Sequence, residues 1–133
     1  MTDTPSQPQK VVLVAEDEMD MQSALVTALE NMGGFKVLAV GDGESAVMQS
    51  LKERPDFILL DIRMPKLNGD KVLEQIRLDE SWGKKVPVTI LTAQSDMVAV
   101  ANAISVGGVG TGYLIKSEVT LAQVVEHVKG RLR

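Results

Sequence analysis

Three carboxylates, a hydroxyl and a lysine stand directly behind short apolar runs, and together they could do phosphoryl chemistry. Glu16 and Asp17 follow Val11–Ala15, Asp61 follows Phe57–Leu60, Thr92 follows residues 88–91, and Lys116 follows residues 113–115. Three acids gathered in one crevice repel one another and need a counter-charge. An all-oxygen set suits a hard cation, and Mg²⁺ typically takes one or two carboxylates while keeping several waters. Lys116 would bring a second, mobile positive charge, and the Thr92 hydroxyl a donor for an anionic group. A carboxylate nucleophile with metal, ammonium and hydroxyl around it is the set that an aspartyl-phosphate site requires. The surrounding groups neutralise charge spread over the transferred oxygens. A strand-end Asp or Thr alone is also a common cap or turn residue, so the joint pattern carries the reading.

For these residues to meet, the apolar runs must be strands of one sheet. Five runs recur: Val11–Ala15, residues 35–40, Phe57–Leu60, residues 88–91 and residues 113–115. Most are rich in β-branched residues and lack polar alternation, which predicts strands buried on both faces, as in a parallel sheet. Helical patterns separate them. Met21, Ala24, Leu25, Ala28, Leu29 and Met32 make a core-facing stripe that Gly33-Gly34 stops. A second helix opens at Asp42 or Gly43 and runs to about Glu53, and a third follows Asn68-Gly69 with Val72, Leu73 and Ile76 inward. Ser95 or Asp96 caps a fourth, which ends in the glycines of residues 107–112. Leu121, Val125, Val128 and Leu132 stripe a fifth, opened by a Thr120/Gln123 capping box.

The order βαβαβαβαβα predicts a single doubly wound α/β domain with right-handed crossovers. Five strands favour the flavodoxin-like order 2-1-3-4-5, with ligands bound beyond the carboxyl ends. Only the second strand ends in plain turn chemistry, Gly41-Asp42-Gly43, and in that order it is the edge. The other four strand ends lie side by side. Residues 1–9 are expected to form a flexible tail and residues 10–131 the domain. Trp82, in the loop of residues 79–85, is expected to cover the domain edge, and its fluorescence offers a way to follow a Mg²⁺ titration.

Composition narrows the alternatives. With 133 residues, 44% apolar and 24% charged, the chain is ordinary for one soluble domain and large enough for a core without staples. It has no cysteine, which excludes disulfide scaffolds, thiolate zinc sites and cysteine nucleophiles. Its one histidine, His127, makes a His-based triad implausible, and its place among the polar residues of the fifth helix predicts a surface position. A net charge of −4 without a basic patch argues against nucleic-acid binding by this chain. The polar residues 1–10 hold no signal-peptide core. Residues 97–115 carry no charge over nineteen positions, but four glycines, Asn102, Ser105 and Thr111 would interrupt a membrane span. A cytoplasmic location without membrane contact is expected.

Four segments carry a resemblance as well: Val-Val-Leu-Val-Ala-Glu-Asp-Glu at residues 11–18, Leu-Leu-Asp-Ile-Arg-Met-Pro-Lys-Leu-Asn-Gly at 59–69, Thr-Ile-Leu-Thr-Ala at 89–93 and Tyr-Leu-Ile-Lys at 113–116. Across about residues 10–131 the chain resembles the receiver domains of bacterial two-component response regulators. The resemblance implies that Asp61 is the phosphoacceptor and Asp17 a direct Mg²⁺ ligand. Glu16 would assist, often through water, and the backbone carbonyl of Arg63 would complete the protein ligands. Thr92 would be the switch hydroxyl, Lys116 the phosphate-contacting lysine and Tyr113 the aromatic switch residue. The implied donor is a histidine kinase or phosphotransfer protein. The implied output is a downstream protein or a second copy bound at the face of the fourth helix, fifth strand and fifth helix. Such a domain signals; its only catalysis is self-catalysed phosphotransfer and autodephosphorylation.

Two departures fall on that output face. The family has proline directly after the lysine, joined by a cis bond, and here Ser117 stands there. A cis bond before a non-proline residue costs about 2.5–4 kcal/mol, so a trans Lys116–Ser117 bond is expected, with a loop that still lets Lys116 reach the crevice. The glycines of residues 107–112 also make the preceding loop look a residue or two longer. The fourth helix is apolar over more than one stripe (Met97, Val98, Val100, Ala101, Ile104), which predicts an exposed partner or dimer surface unless the helix sinks deeper. Two other classes compete. A Mg²⁺-dependent aspartyl-nucleophile phosphatase-like enzyme would resemble Asp-x-Asp, but Arg63 is the second residue after Asp61. A phosphorylation-independent interaction module would have no use for the full set of acids, threonine and lysine. Whether the chain stands alone or has lost an output domain stays open.

Overall fold

The computed structural model describes residues 8–133. Of the expected tail, residues 1–7 lie outside the described residues, and Gln9 donates to the Gly34 carbonyl at 3.0 Å. The elements run β1 (Val11–Ala15), α1 (Met19–Asn31), β2 (Lys36–Val40), α2 (Gly43–Glu53), β3 (Phe57–Leu60), α3 (Gly69–Arg77), β4 (Val88–Thr92), α4 (Met97–Gly107), β5 (Thr111–Ile115) and α5 (Leu121–Arg131). Short 3-10 turns, Gln94–Asp96 and Lys116–Glu118, precede α4 and α5. The five strands form one parallel sheet in the order β2-β1-β3-β4-β5. This is the doubly wound, flavodoxin-like architecture expected from the sequence.

Alternation along each strand distributes its residues to two cores. Val12, Val14, Phe57, Leu59 and Leu91 face α1 and α5, where Leu25, Ala28, Leu29, Val124, Val125 and Val128 meet them. Leu13, Ala15, Ile58, Leu60, Val88 and Ile90 face α2, α3 and α4 through Ala46, Val72, Leu73, Ile76, Val100 and Ala103. The three central strands are almost wholly buried, whereas β2 and β5 are only partly covered. The expectation of burial on both faces therefore fails at the two edges, where one side of each strand has no neighbour.

Local chemistry sets several helix starts. Asp42 caps α2, its Oδ1 accepting from the Ser45 amide at 2.7 Å. Thr120 and Gln123 form the capping box of α5, at 3.1 and 2.8 Å. Asp96, expected as the cap of α4, makes no capping hydrogen bond. On α5 the inward residues are Val124, Val125 and Val128, while Leu121 is 38% exposed, so the expected stripe is rotated by one position at its start. His127 is half-buried rather than a free surface residue. Its Nε2 lies 2.8 Å from Oγ1 of the fully buried Thr89, and its ring stands edge-on to Phe57. Val124 and His127 turn inward because α5 packs against both α1 and the sheet, and a single stripe cannot serve two contacts.

Between α4 and β5 the linker is residues 108–110, with positive φ at Gly108 and Gly110. Arg77 and Arg131 hold this turn from α3 and α5, donating to the carbonyls of Gly107 and Gly110 at 2.9 Å each. Among the described residues no helix is long and apolar enough to cross a membrane. The uncharged residues 97–115 are α4, its turn and β5. Only Val100, Ala103 and Gly107 of α4 are buried, and Val98 is 80% exposed, so the helix lies on the sheet rather than in it.

Candidate functional site

The site sits where the central strands end. Ladder pairing runs one residue past each strand: the Glu16 amide donates to the Val40 carbonyl and the Asp61 amide to the Ala15 carbonyl, each at 3.0 Å. Two acids on adjacent strands are thereby held by backbone, not by loop. Gln22, from the first turns of α1, ties the same corner by donating to the carbonyls of Glu16 and Val40 at 2.9 and 3.0 Å. Beneath Asp61 the chain turns back on itself, and Gly69 at the start of α3 passes under the acceptor's own backbone. A Cβ there would lie 2.4 Å from the Asp61 carbonyl oxygen, so the position takes no side chain.

Carboxylate oxygens of Glu16, Asp17 and Asp61 lie within 4.8 Å of one another. Glu16 and Asp61 are buried and Asp17 is exposed. Lys116 reaches across from the end of β5, its Nζ 2.7 Å from Glu16 Oε1 and 3.2 Å from Asp61 Oδ2. The second Asp61 oxygen accepts from the Arg63 amide at 3.3 Å, and the Glu18 amide donates to Glu16 at 3.1 Å. Burial pushes the Glu16 carboxyl above its ordinary value and the charge of Asp61 adds to this, against the hydrogen bonds from Lys116 and Glu18. Burial works to lower Lys116, but its hydrogen bond to Glu16 and the charges of both acids outweigh it, so the ammonium is held protonated. No described peptide bond is cis, and Lys116 makes these contacts from a trans Lys116–Ser117 bond.

The remaining expected residues make no side-chain hydrogen bond to this cluster. Thr92 ends β4 in the same row, fully buried, and its hydroxyl donates only weakly, to the Ala93 carbonyl at 3.4 Å. Tyr113 is outside the pocket, exposed on the edge strand β5. The Arg63 side chain leaves the pocket and pairs with Asp96 at 2.8 Å, a contact between residues 33 positions apart that no spacing announces. A hard divalent cation fits three oxygen donors in this arrangement, and Mg²⁺ tolerates such a sparse protein set because it keeps several waters.

A doubly wound sheet with an acid cluster and one lysine at its carboxyl ends is the architecture of a receiver-type signalling domain. The family profile described as response regulator receiver domain matches residues 12–129, and the chain belongs to that family of two-component systems. The transcriptional regulatory protein PrrA of Mycobacterium tuberculosis is 36% identical over 122 residues, which cover 92% of this chain and 49% of PrrA. The chain thus spans about half the length of the curated relatives it matches. The receiver domain of sensor histidine kinase PA1611 from Pseudomonas aeruginosa, solved with a magnesium ion coordinated in its active-site cleft, has a TM-score of 0.81 at 29% identity, covering 93% of this chain and 98% of that one. The phosphorylated cyanobacterial phytochrome response regulator RcpA has a TM-score of 0.74 at 30% identity, covering 92% and 90%. The family is one of signalling domains, not of classical enzymes.

Proposed function

We propose that residues 10–131 form a phosphorylation-controlled receiver in which Asp61 takes a phosphoryl group from a histidine kinase or phosphotransfer protein. The observation that carries this reading is the shared ammonium: Lys116 lies within 3.2 Å of both Glu16 and Asp61, so a cation already stands beside the acceptor oxygen. An Asp61 oxygen attacks phosphorus, the new O–P bond forms as the P–N bond to the donor imidazole breaks, and the imidazole keeps the electron pair and takes up a proton. The product is a carboxylic–phosphoric mixed anhydride. Asp17, Asp61 and the Arg63 carbonyl would hold Mg²⁺, with Glu16 assisting through water. The metal would supply positive charge for the phosphoryl oxygens. Lys116 follows one phosphoryl oxygen, and the Thr92 hydroxyl, held only by a long bond, turns to donate to another. The donor's chemistry, phosphohistidine made from ATP, puts the domain in the cytoplasm.

Two surfaces flank this pocket and suit two partners. A cavity of about 410 Å³ between α1 and the start of α5, lined by Met21, Ala24, Val119 and Leu121 with Lys116 at its edge, borders the acceptor and suits the donor. The exposed aliphatics of α4 with Tyr113 on β5 suit an output protein or a second copy, and Tyr113 would follow Thr92 as the aromatic switch. Acetyl phosphate with Mg²⁺ tests the core of the reading. It should add one base-labile phosphoryl group by mass, and Asp61→Ala should take up none. Equal uptake by that variant would overturn the assignment.

A further inference from the structure

Between β4 and α4 the chain makes a contact that phosphoryl transfer itself does not need. Asp96 stands at the residue just before α4, where an aspartate ordinarily turns its carboxylate onto the second or third amide of the helix. It does not do so here, and α4 begins without a side-chain cap. The Asp96 carboxylate accepts instead from Nε of Arg63 at 2.8 Å, across the mouth of the pocket. Its backbone, at φ −101° and ψ 19°, closes the 3-10 turn Gln94–Asp96, with its amide donating to the Ala93 carbonyl at 3.1 Å. A capping residue is extended, so Asp96 can serve α4 only by opening that turn. One carboxylate therefore has two mutually exclusive uses.

The pair holding it is easily exchanged. Arg63's side chain is 68% exposed and Asp96's 12%, and an ion pair with one solvent-exposed member is weakly held. Arg63 is also the residue whose backbone amide donates to Asp61 Oδ1 at 3.3 Å, so its side chain is rooted beside the acceptor although its guanidinium now points to Asp96. A phosphoryl group there would bring up to about two negative charges and three strong acceptor oxygens. A guanidinium fork binds phosphate oxygens bidentately, more strongly than the single Nε contact it makes now.

We propose that Arg63 and Asp96 form a latch between the acceptor and α4. With Asp61 free, Arg63 holds Asp96 away from the helix. With Asp61 phosphorylated, Arg63 swings to the phosphoryl oxygens, the Gln94–Asp96 turn opens, and Asp96 caps α4. The inference rests on Asp61 being the phosphoacceptor. It makes Arg63 and Asp96 positioning residues for the α4 face, through a two-state element that the pocket and the helix both bias.

Amide hydrogen exchange at Val98 and Ala99, the second and third residues of α4, reads the latch directly. Phosphorylation with acetyl phosphate and Mg²⁺, checked by mass, should raise their protection roughly fivefold, the change one cap makes. Arg63→Ala should show that protection before any phosphorylation. Asp96→Ala should accept phosphate on Asp61 and show no gain. Full phosphorylation of the wild-type chain with unchanged amides would overturn the latch and leave the acceptor standing, and so would an equal gain in Asp96→Ala. No phosphoryl uptake at all would overturn the acceptor reading and the coupling with it.

Discussion

The carboxyl end of the sheet and the α4–β5 side of the domain are built from opposite materials. At the pocket, Glu16, Asp61 and Lys116 are crowded, mostly buried and tied to one another and to backbone. Along residues 97–115 there is no charge, and Val98 and Val109 stand 80% and 98% exposed. A buried charge loses heavily when its partner moves, whereas an exposed aliphatic loses nothing when a partner covers it and gains hydrophobic free energy. The pocket is therefore held in one geometry, and the α4 side is left open to be covered. A signalling domain can use that division, since chemistry demands fixed atoms and output demands a surface whose occupancy can change.

The contrast is sharpest in the glycines. A Cβ at Gly69 would meet the Asp61 carbonyl oxygen at 2.4 Å and Ile62 Cα at 2.9 Å, both backbone atoms that cannot rotate away. Gly69→Ala should cost about 3 kcal/mol or more in urea unfolding and blunt the thermal response to Mg²⁺. Gly108 has open space around it, but at φ +68° and ψ −150° it holds a backbone that is essentially glycine's alone, so Gly108→Ala should cost about 1–3 kcal/mol through local strain and leave the Mg²⁺ response intact. An equally blunted Mg²⁺ response in both variants would erase the difference between the regions. Next in size, Lys116→Ala leaves two buried carboxylates facing each other and should lose about 2–3 kcal/mol without metal, with part of it recovered at saturating Mg²⁺.

A smaller effect comes from His127, which belongs to neither region but pins α5 between them. Burial, and then the charge of Arg131 on the same helix, holds its pKa below the ordinary 6.5, while Thr89 and Phe57 face it from β4 and β3. As pH falls, the unfolded chain takes up this proton first. Stability should be whole above about pH 6.5, decline from there to the folded-state value and level off below it. His127→Gln should flatten that segment of a stability-against-pH curve; an unchanged slope would place the histidine outside the balance. The smallest change is expected on α4. Val98→Ser should alter the urea midpoint by no more than about 0.5 kcal/mol while weakening any phosphorylation-dependent self-association seen by light scattering. A loss above about 1 kcal/mol would mean that the helix side is as fixed as the pocket.

Much of this was legible in the chain itself. Apolar runs with no polar alternation marked the strands, 3.6-residue stripes marked the helices, and their strict alternation left few topologies, of which one aligns Glu16, Asp61, Thr92 and Lys116. Those patterns are local, set by the repeat of a strand or a helix, so the residues at element ends could be read without coordinates. What needed the tertiary structure was every question of which neighbour a side chain meets. The turn of α5 that buries Val124, half-buries His127 and frees Leu121 depends on α1 and the sheet both pressing on it. Trp82 looked like a reporter for Mg²⁺, yet its Nε1 donates to the Pro55 carbonyl at 2.7 Å, near the opposite end of β3 from Asp61 and about 13 Å of strand away. Asp96 had the residue type and place of a cap, and only the arrival of Arg63 from another loop took its carboxylate elsewhere. Period and spacing determine where a residue sits on its own element; the partners are chosen by packing between elements, where sequence separation carries no information.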